Sequence, residues 1–454
     1  MKKIKKLLCI LLCFVLISAF FAGCKANEND NNNNDTPAGN VVIRYLNFKP
    51  EITAAYEKIS KEYEAETGVK VIVETAANNG YEQTLTAKMA TDEAPAIFQI
   101  NGPRGYESWR DYCADITSTA LYEHLTDKDL AITENGRVYG IPYVAEGYGI
   151  IYNDEIMQKY FALDSRETSL TSMSEVNNFT ALKSLVEDMQ KHREELGIEG
   201  VFSSTSLKAG EDWRWQTHLA NIPVYYEFKS RNAELTSDAV KKLDFTFAEN
   251  YKNIFDLYTD NSVTDKKALG TKLVDESMAE FATGKSAMVQ NGNWAWSQIN
   301  DISGNVVKAE NIKFLPIYTG IAGEEKQGIC IGTENYLAVN SKVSEAEQKA
   351  AEDFLYWLYS SNKGKQFVLN DLGFIAPFDT FSENEKPSDP LAQQVVEYMN
   401  NENLTNIPWV FTVFPSQTFK DDFGAVLLQY AQGSKSFDDV KNTVVKSWET
   451  ESNF

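Results

Sequence analysis

A chain of 454 residues with 43% hydrophobic and 12% aromatic side chains can fill two or three packed cores, which excludes global disorder. Its formal charge of -22 excludes a nucleic-acid partner and adsorption to anionic lipid, because both need clustered cations that this surface lacks. The motif inventory narrows the function further: there is no G-x-S-x-G, H-E-x-x-H, G-x-x-x-x-G-K-[ST] or C-x-x-C, and His124, His192 and His218 are scattered. Nothing nominates a nucleophile with its base, a metal cluster or a cofactor cradle, so a non-enzymatic protein without cofactor or metal is expected.

The chain starts with a cationic segment, MKKIKK, and an apolar run over 7–21 that is short for a bilayer span, which together read as a secretory signal. The run ends in Phe21-Ala22-Gly23-Cys24, which resembles the lipobox of bacterial lipoproteins. That resemblance implies a signal over 1–23 and acylation of Cys24, each inserted methylene contributing about 0.8 kcal/mol. The alternative is an ordinary signal peptide with a chance cysteine. Cys9 and Cys13 leave with the signal, so Cys113 and Cys330 remain, either as two buried thiols or as a bridge that spacing alone does not establish. Residues 24–40 are polar, Asn-rich and without apolar periodicity, and are expected to be a disordered tether.

From residue 41 the pattern becomes regular. Residues 41–46 read as a strand, 47–51 as a turn, and Ile52, Tyr56, Ile59 and Tyr63 mark one face of a helix closed by Gly68. Residues 69–73 are the next strand, 81–91 a helix, and 96–100 a third strand ending in Asn101-Gly102-Pro103-Arg104-Gly105. This alternation predicts an α/β lobe with a parallel sheet, whose 47–51 and 101–105 loops emerge at strand carboxyl ends and face one crevice. Residues 136–153, GRVYGIPYVAEGYGIIYN, look like a crossing to a second lobe, with Gly147 and Gly149 permitting the angles a hinge must absorb. A plain glycine-rich loop is the alternative. Residues 179–195 form a helix on Leu182, Leu185, Val186 and Met189. In 209–228, with Asp212 as N-cap, Trp213 and Trp215 lie about 200° apart on a helix, so at most one faces the crevice. The same holds for Trp294 and Trp296. A strand over 312–317 precedes a return to the first lobe, where 334–340 adds a strand. The helix 346–359 leads into a third crossing, and 364–454 is mostly helical.

The stretch 278–299, MAEFATGKSAMVQNGNWAWSQI, organises the rest. Met278, Phe281 and Ala282 give a helix its buried face and Gly284 ends it. Residues 286–290 read as a buried strand of a mostly parallel sheet, and Asn291-Gly292-Asn293 as a turn whose last residue caps a helix, which puts Trp294 at a strand's carboxyl end. A helix ending in F-x-x-G-K, an alanine-containing strand and N-G-x-W-A-W resemble the bacterial extracellular solute-binding proteins of carbohydrate import systems, of which the maltodextrin binders are the best-known relatives. Gly284, Lys285, Met288, Gly292 and Trp294 agree in order and spacing; Asn293 departs from the proline frequent there. The resemblance runs from about residue 41 onward. It includes Y-G-I-P-Y-x-x-E from Tyr139 and the loop 370–377, NDLGFIAP, which is similar to a cleft-facing segment. NFKPE and GEDWRW are similar to raffinose-type α-galactoside binders.

The resemblance implies a periplasmic-binding-protein-like α/β fold of two lobes joined by hinge segments, with a ligand cleft between them. The N-terminal lobe would comprise 41–145 and 317–358, the C-terminal lobe 146–316 and 359–454. Such a protein is a monomeric lipoprotein on the outer face of the bacterial cell membrane; it closes on an oligosaccharide and delivers it to the permease subunits of an ABC transporter. Glu146 matches a polar ligand position of the maltodextrin binders, Trp294 their stacking tryptophan, and Trp213 or Trp215 a second aromatic position. Lys49, Glu51, Asn101 and Asn293 lie on the predicted crevice loops, and Phe374 and Trp409 complete the candidates. The chemistry is coherent: indoles cover the C–H face of a pyranose, while carboxylates and amides match its hydroxyl rim. Rings on opposing lobes would trap a neutral saccharide between them, and the acidic balance of the chain speaks weakly against an anionic ligand. Each tryptophan could instead pack in a core and each polar residue be solvated. The alternative function is a secreted glycoside hydrolase using a carboxylate pair about 5 to 9.5 Å apart.

Overall fold

The structure, a computed structural model, describes residues 41–452 apart from 77–79, 236 and 383. The expected signal, Cys24 and tether lie outside the described residues. The strands are β1 (Val42–Asn47), β2 (Lys70–Thr75), β3 (Ile97–Asn101), β4 (Ile132–Glu134), β5 (Arg137–Pro142), β6 (Glu146–Asn153), β7 (Gly200–Phe202), β8 (Ser286–Gly292), β9 (Ile312–Leu315), β10 (Gln327–Gly332), β11 (Asn335–Val339) and β12 (Thr405–Pro408). They form two sheets, one in the order β2-β1-β3-β11-β5-β4 and the other β12-β10-β6-β8-β7, with β9 also paired to β6.

Both sheets are buried on both faces, as the period of two along each strand requires. In the first sheet Ile43, Tyr45, Ile97, Leu337 and Val339 face one core, while Leu46, Phe98, Ile100 and Ala338 face the other. In the second, Tyr148, Ile150 and Met288 face one side and Ile151 and Val289 the opposite one. The helix Thr53–Thr67 buries Tyr56, Ile59 and Tyr63 against the first sheet and ends at Gly68, whose φ of 73° is the left-handed cap that glycine adopts without strain.

Several expectations are corrected. The sheets are mixed: β1 is parallel to β2 and β3, but β11 runs antiparallel to β3, and β8 runs antiparallel to β6 and parallel only to β7. The return to the first sheet comes after residue 332 rather than at 317, because β10 pairs with β6 and β12 and buries Ile329 and Cys330 in the second sheet's cores. The last crossing is also later than 359. Phe354, Leu358, Val368, Phe374 and Phe378 all pack on the first sheet, and Leu391 and Val395 are the next residues to enter a core of the second. The segment after Trp213 is a π-helix over Arg214–Leu219 that continues as the α-helix Ala220–Ser230. Pro223 cannot donate to the Leu219 carbonyl and its ring crowds it, which locates the change of pitch. Gly147 and Gly149 lie inside β6, and their role is close packing rather than hinge freedom. A Cβ at 147 would meet Val395 at 2.7 Å, and one at 149 the Leu315 carbonyl at 2.7 Å.

Candidate ligand-binding site

A cavity of about 750 Å³ opens between the loops of the two sheets. Segments 48–51 and 81–83 with Gln99, Asn101, Glu334 and Asn335 line it from the first sheet, and segments 213–214, 216–218 and 273–275 with Trp294, Gln298 and Lys420 from the second. The loop after β1 is held rigidly. The Asn47 amide donates to the Lys49 carbonyl at 2.6 Å and accepts from the Lys49 N–H at 3.2 Å, and the Phe48 N–H donates to Gln99 Oε1 at 2.5 Å. This turn aims Lys49 at Glu146, the first residue of β6: Lys49 Nζ lies 2.8 and 3.0 Å from the two carboxylate oxygens, with Glu51 at 3.9 Å. Burial alone would lower the Lys49 pKa, but Glu146 and Glu51 together raise it, so the amine stays charged. Burial outweighs Lys49 at Glu51 and raises that carboxyl.

On the opposite wall an aromatic cluster grows from β8 and the π-helix. Trp294 stands two residues after Gly292, the last residue of β8, and its ring folds back over the glycine, where no side chain could stand. Trp213 lies 6.1 Å from Trp294 at 44°, and His218 approaches both edge-on at 4.8 and 5.6 Å. His218 in turn stacks face to face on Tyr148 at 4.1 Å. Burial, then the nearby Arg214, Lys420 and Lys49 cations, push its pKa far down, so the imidazole is neutral. Arg214 lies with its guanidinium 3.8 Å over the Trp213 ring, and burial lowers it to about 9. Across the cavity Glu334 accepts from the Asn101 amide at 2.9 Å and is raised by burial against the pull of Lys420 and Lys49. Lys420 is lowered, chiefly by burial.

Of the ten candidate ligand residues, Lys49, Glu51, Asn101, Glu146, Trp213 and Trp294 come together on this cavity. The other four do not line it. Trp215 is 2% exposed in a core, its indole N–H donating to the Ser206 carbonyl at 2.9 Å and its ring 5.1 Å from Phe255. Phe374 packs in the first sheet's core with its ring 5.6 Å from Tyr143. Trp409 is buried behind Trp294, perpendicular to it at 6.4 Å. Asn293 is neither a helix cap nor a wall residue; its Oδ1 accepts the Gly147 N–H at 2.9 Å and its own N–H donates back to the Gly147 carbonyl at 2.9 Å, which fixes the start of β6 to the end of β8. The expected opposition of indoles is also corrected: Trp213 and Trp294 both belong to the second-sheet wall, and the first sheet presents Phe48 and Tyr81, 5.5 Å apart, instead. Sequence reading missed Tyr81, Glu82, Arg214, His218, Glu334 and Lys420. The i, i+4 spacing of Arg214 and His218 is the signal that could have placed both on one helical face.

Among the described residues no group of His, Cys, Asp or Glu is placed to hold a metal ion. The cavity therefore offers rings and hydrogen-bonding groups. Such a wall suits a ligand with apolar faces and a polar rim.

Comparison with known proteins agrees with this architecture. The profile of a family described as bacterial extracellular solute-binding protein matches residues 58–394. A multiple sugar-binding protein of Streptococcus mutans is 24% identical over 396 residues, covering 83% of this chain and 84% of that one. A chitin oligosaccharide binding protein superposes with a TM-score of 0.68 at 18% identity, over 91% of this chain and 99% of its own. A sugar transporter protein of Bacillus licheniformis in complex with stachyose superposes with a TM-score of 0.62 at 15% identity, over 90% of this chain and 100% of its own.

Proposed function

We propose, from the premise that this chain belongs to the bacterial extracellular solute-binding proteins, that it is the substrate-binding component of a carbohydrate ABC import system and captures an oligosaccharide in the cleft between its sheets. The observation that carries this reading is the facing of two walls. Trp213 and Trp294 on one side offer indole faces to pyranose C–H groups, and Lys49, Glu51 and Asn101 on the other offer groups that bind hydroxyls. The names of the relatives support it, since they include a multiple sugar-binding protein, a chitin oligosaccharide binding protein and a sugar transporter protein in complex with stachyose.

Closure follows from this division of contacts. Groups from both sheets touch the ligand together only when the walls approach, so the sugar shifts the hinge equilibrium by its differential affinity for the closed form. Micromolar binding corresponds to about -8 kcal/mol, within reach of stacked rings and charge-assisted hydrogen bonds after ordering costs. The closed form is the one presented to the permease subunits.

The N-terminal segment supports a lipid anchor at Cys24, which would hold the protein on the outer face of the membrane. Cys24→Ser should then release the protein into the medium of the expressing bacterium, and retention in the membrane fraction would refute the anchor. The binding reading is tested by a thermal-shift screen of the purified protein against an oligosaccharide panel. A ligand at a hundred times its dissociation constant adds about 2.7 kcal/mol of stability. A flat response across the panel would refute the reading, and release of reducing ends would transfer the cleft carboxylates to hydrolysis.

A further inference from the structure

We propose that the bound oligosaccharide carries a carboxylate, as a uronic acid residue does, and that Arg214 is the residue that selects it. This rests on the reading of the cleft as an oligosaccharide site.

Arg214 lines the cavity yet is only 2% exposed. Its Nε donates to Asn291 Oδ1 at 3.1 Å and its plane lies on the Trp213 ring, so the guanidinium is held from behind and beside. Its two terminal nitrogens have no acceptor among the described residues, and no carboxylate stands within ion-pair distance of them; Glu51, Glu211 and Asp275 act on it only from further away. A buried cation without a counter-ion is costly, and a carboxylate arriving with the ligand relieves that cost. The planar fork, already immobilised, matches a carboxylate with two parallel hydrogen bonds.

Four of the six carboxylates that line the cavity are engaged elsewhere, and the other two, Glu51 and Asp275, form no ion pair with the fork, Glu51 lying 3.9 Å from Lys49 Nζ. Glu146 is held by Lys49, Glu334 accepts from Asn101, Glu82 accepts from the Trp109 indole N–H at 2.9 Å, and Glu211 accepts the Val274 N–H at 2.9 Å. Beside the guanidinium, the buried Nδ1 of His218 is also without a partner. Lys420 adds a second cationic group with no ion pair among the described residues. The position of the acid group follows from the indoles. A pyranose laid against Trp213 and Trp294 carries its exocyclic carboxylate one bond from the ring, beside the fork that lies on Trp213.

The test compares acidic and neutral twins by titration calorimetry on the intact protein: digalacturonate with α-1,4-galactobiose, and cellobiouronate with cellobiose, in wild type, Arg214→Lys and Arg214→Gln. The expected result is an acidic member bound at least tenfold more tightly than its twin, a ratio that falls below twofold in Arg214→Gln and is partly kept in Arg214→Lys. A neutral twin bound as tightly as the acidic one overturns the proposal while leaving the oligosaccharide reading intact. A preference for the acid that survives in Arg214→Gln removes Arg214 from the role. Failure of both members of every pair overturns this inference, whereas a flat response of the whole oligosaccharide panel, acidic and neutral members alike, overturns the reading beneath it. The wild-type ratio decides the matter even where a variant does not fold.

Discussion

The ring of Trp294 lies directly on the backbone of Gly292: a Cβ at 292 would stand 2.2 Å from two of its ring carbons and 2.5 Å from a third. The glycine is therefore what allows the indole to fold back toward its own strand and take its place in the wall. Gly292→Ala must drive the ring away, and since Trp294 borders the cavity it can swing without unfolding β8. Both Gly292→Ala and Trp294→Ala are expected to weaken oligosaccharide binding at least tenfold, about 1.4 kcal/mol, with the circular dichroism spectrum kept. Titration calorimetry decides; an unchanged affinity in Gly292→Ala would separate the ring's position from binding.

A second expectation concerns Lys49 and Glu146, 97 positions apart in sequence and both under a tenth exposed. Lys49→Met leaves a buried carboxylate without its cation and should cost about 3 to 5 kcal/mol of stability. Replacing both, as Lys49→Met with Glu146→Leu, should recover most of that loss, because an apolar pair of similar size avoids the desolvation of either charge. Urea denaturation of the two variants measures it; equal losses in the single and double variants would mean the pair is not coupled.

The contrast between these two relationships explains what could be read in advance. Local rules sufficed for the helix Thr53–Thr67, where Tyr56, Ile59 and Tyr63 recur at helical spacing and Gly68 closes the turn, and for Trp294 at the end of β8. They could not distinguish Trp213 from Trp215. A regular helix puts the two on opposite faces, but which face meets solvent depends on the π-helical pitch set downstream by Pro223. Arg214 and His218 were missed for a related reason: a cation or an imidazole in a polar stretch looks solvated, and only tertiary packing buries it. Asn293 had the composition of a cap, yet its partner, the Gly147 backbone, lies 146 residues away. The strand β10 was passed over because its pairing with β6 and β12 is equally non-local.

Trp213, which precedes the π-helix, and Trp215 inside it should accordingly behave differently. Trp215→Ala removes a ring packed on Phe255 and leaves the Ser206 carbonyl without its donor, and should cost about 3 to 5 kcal/mol of stability. Trp213→Ala should act mainly on ligand affinity, since that ring borders the cavity. Paired denaturation and calorimetry on the two variants check this, and a reversed pattern would invalidate the assignment of wall and core.

Asp389 carries the last expectation. It caps the helix Pro390–Met399 by accepting the Leu391 and Ala392 N–H groups at 2.7 and 3.0 Å, on the segment that returns the chain to the second sheet. Burial raises its pKa to about 7 in spite of those two bonds, which favour the charged form. The folded protein thus holds a proton at Asp389 that the unfolded chain releases near its ordinary pKa of 3.8. Its contribution to stability is complete below about pH 4 and is lost progressively as pH rises through about 7. Asparagine caps a helix as well as aspartate does and has no charge to bury. Asp389→Asn should therefore match wild type near pH 4 and become the more stable of the two as pH rises, with the gap levelling off above pH 8. Thermal unfolding of both proteins from pH 4 to 9 gives that difference curve directly, and cancels the other carboxylates that titrate in the same range. A flat difference would mean that water reaches Asp389 and that burial does not govern its charge.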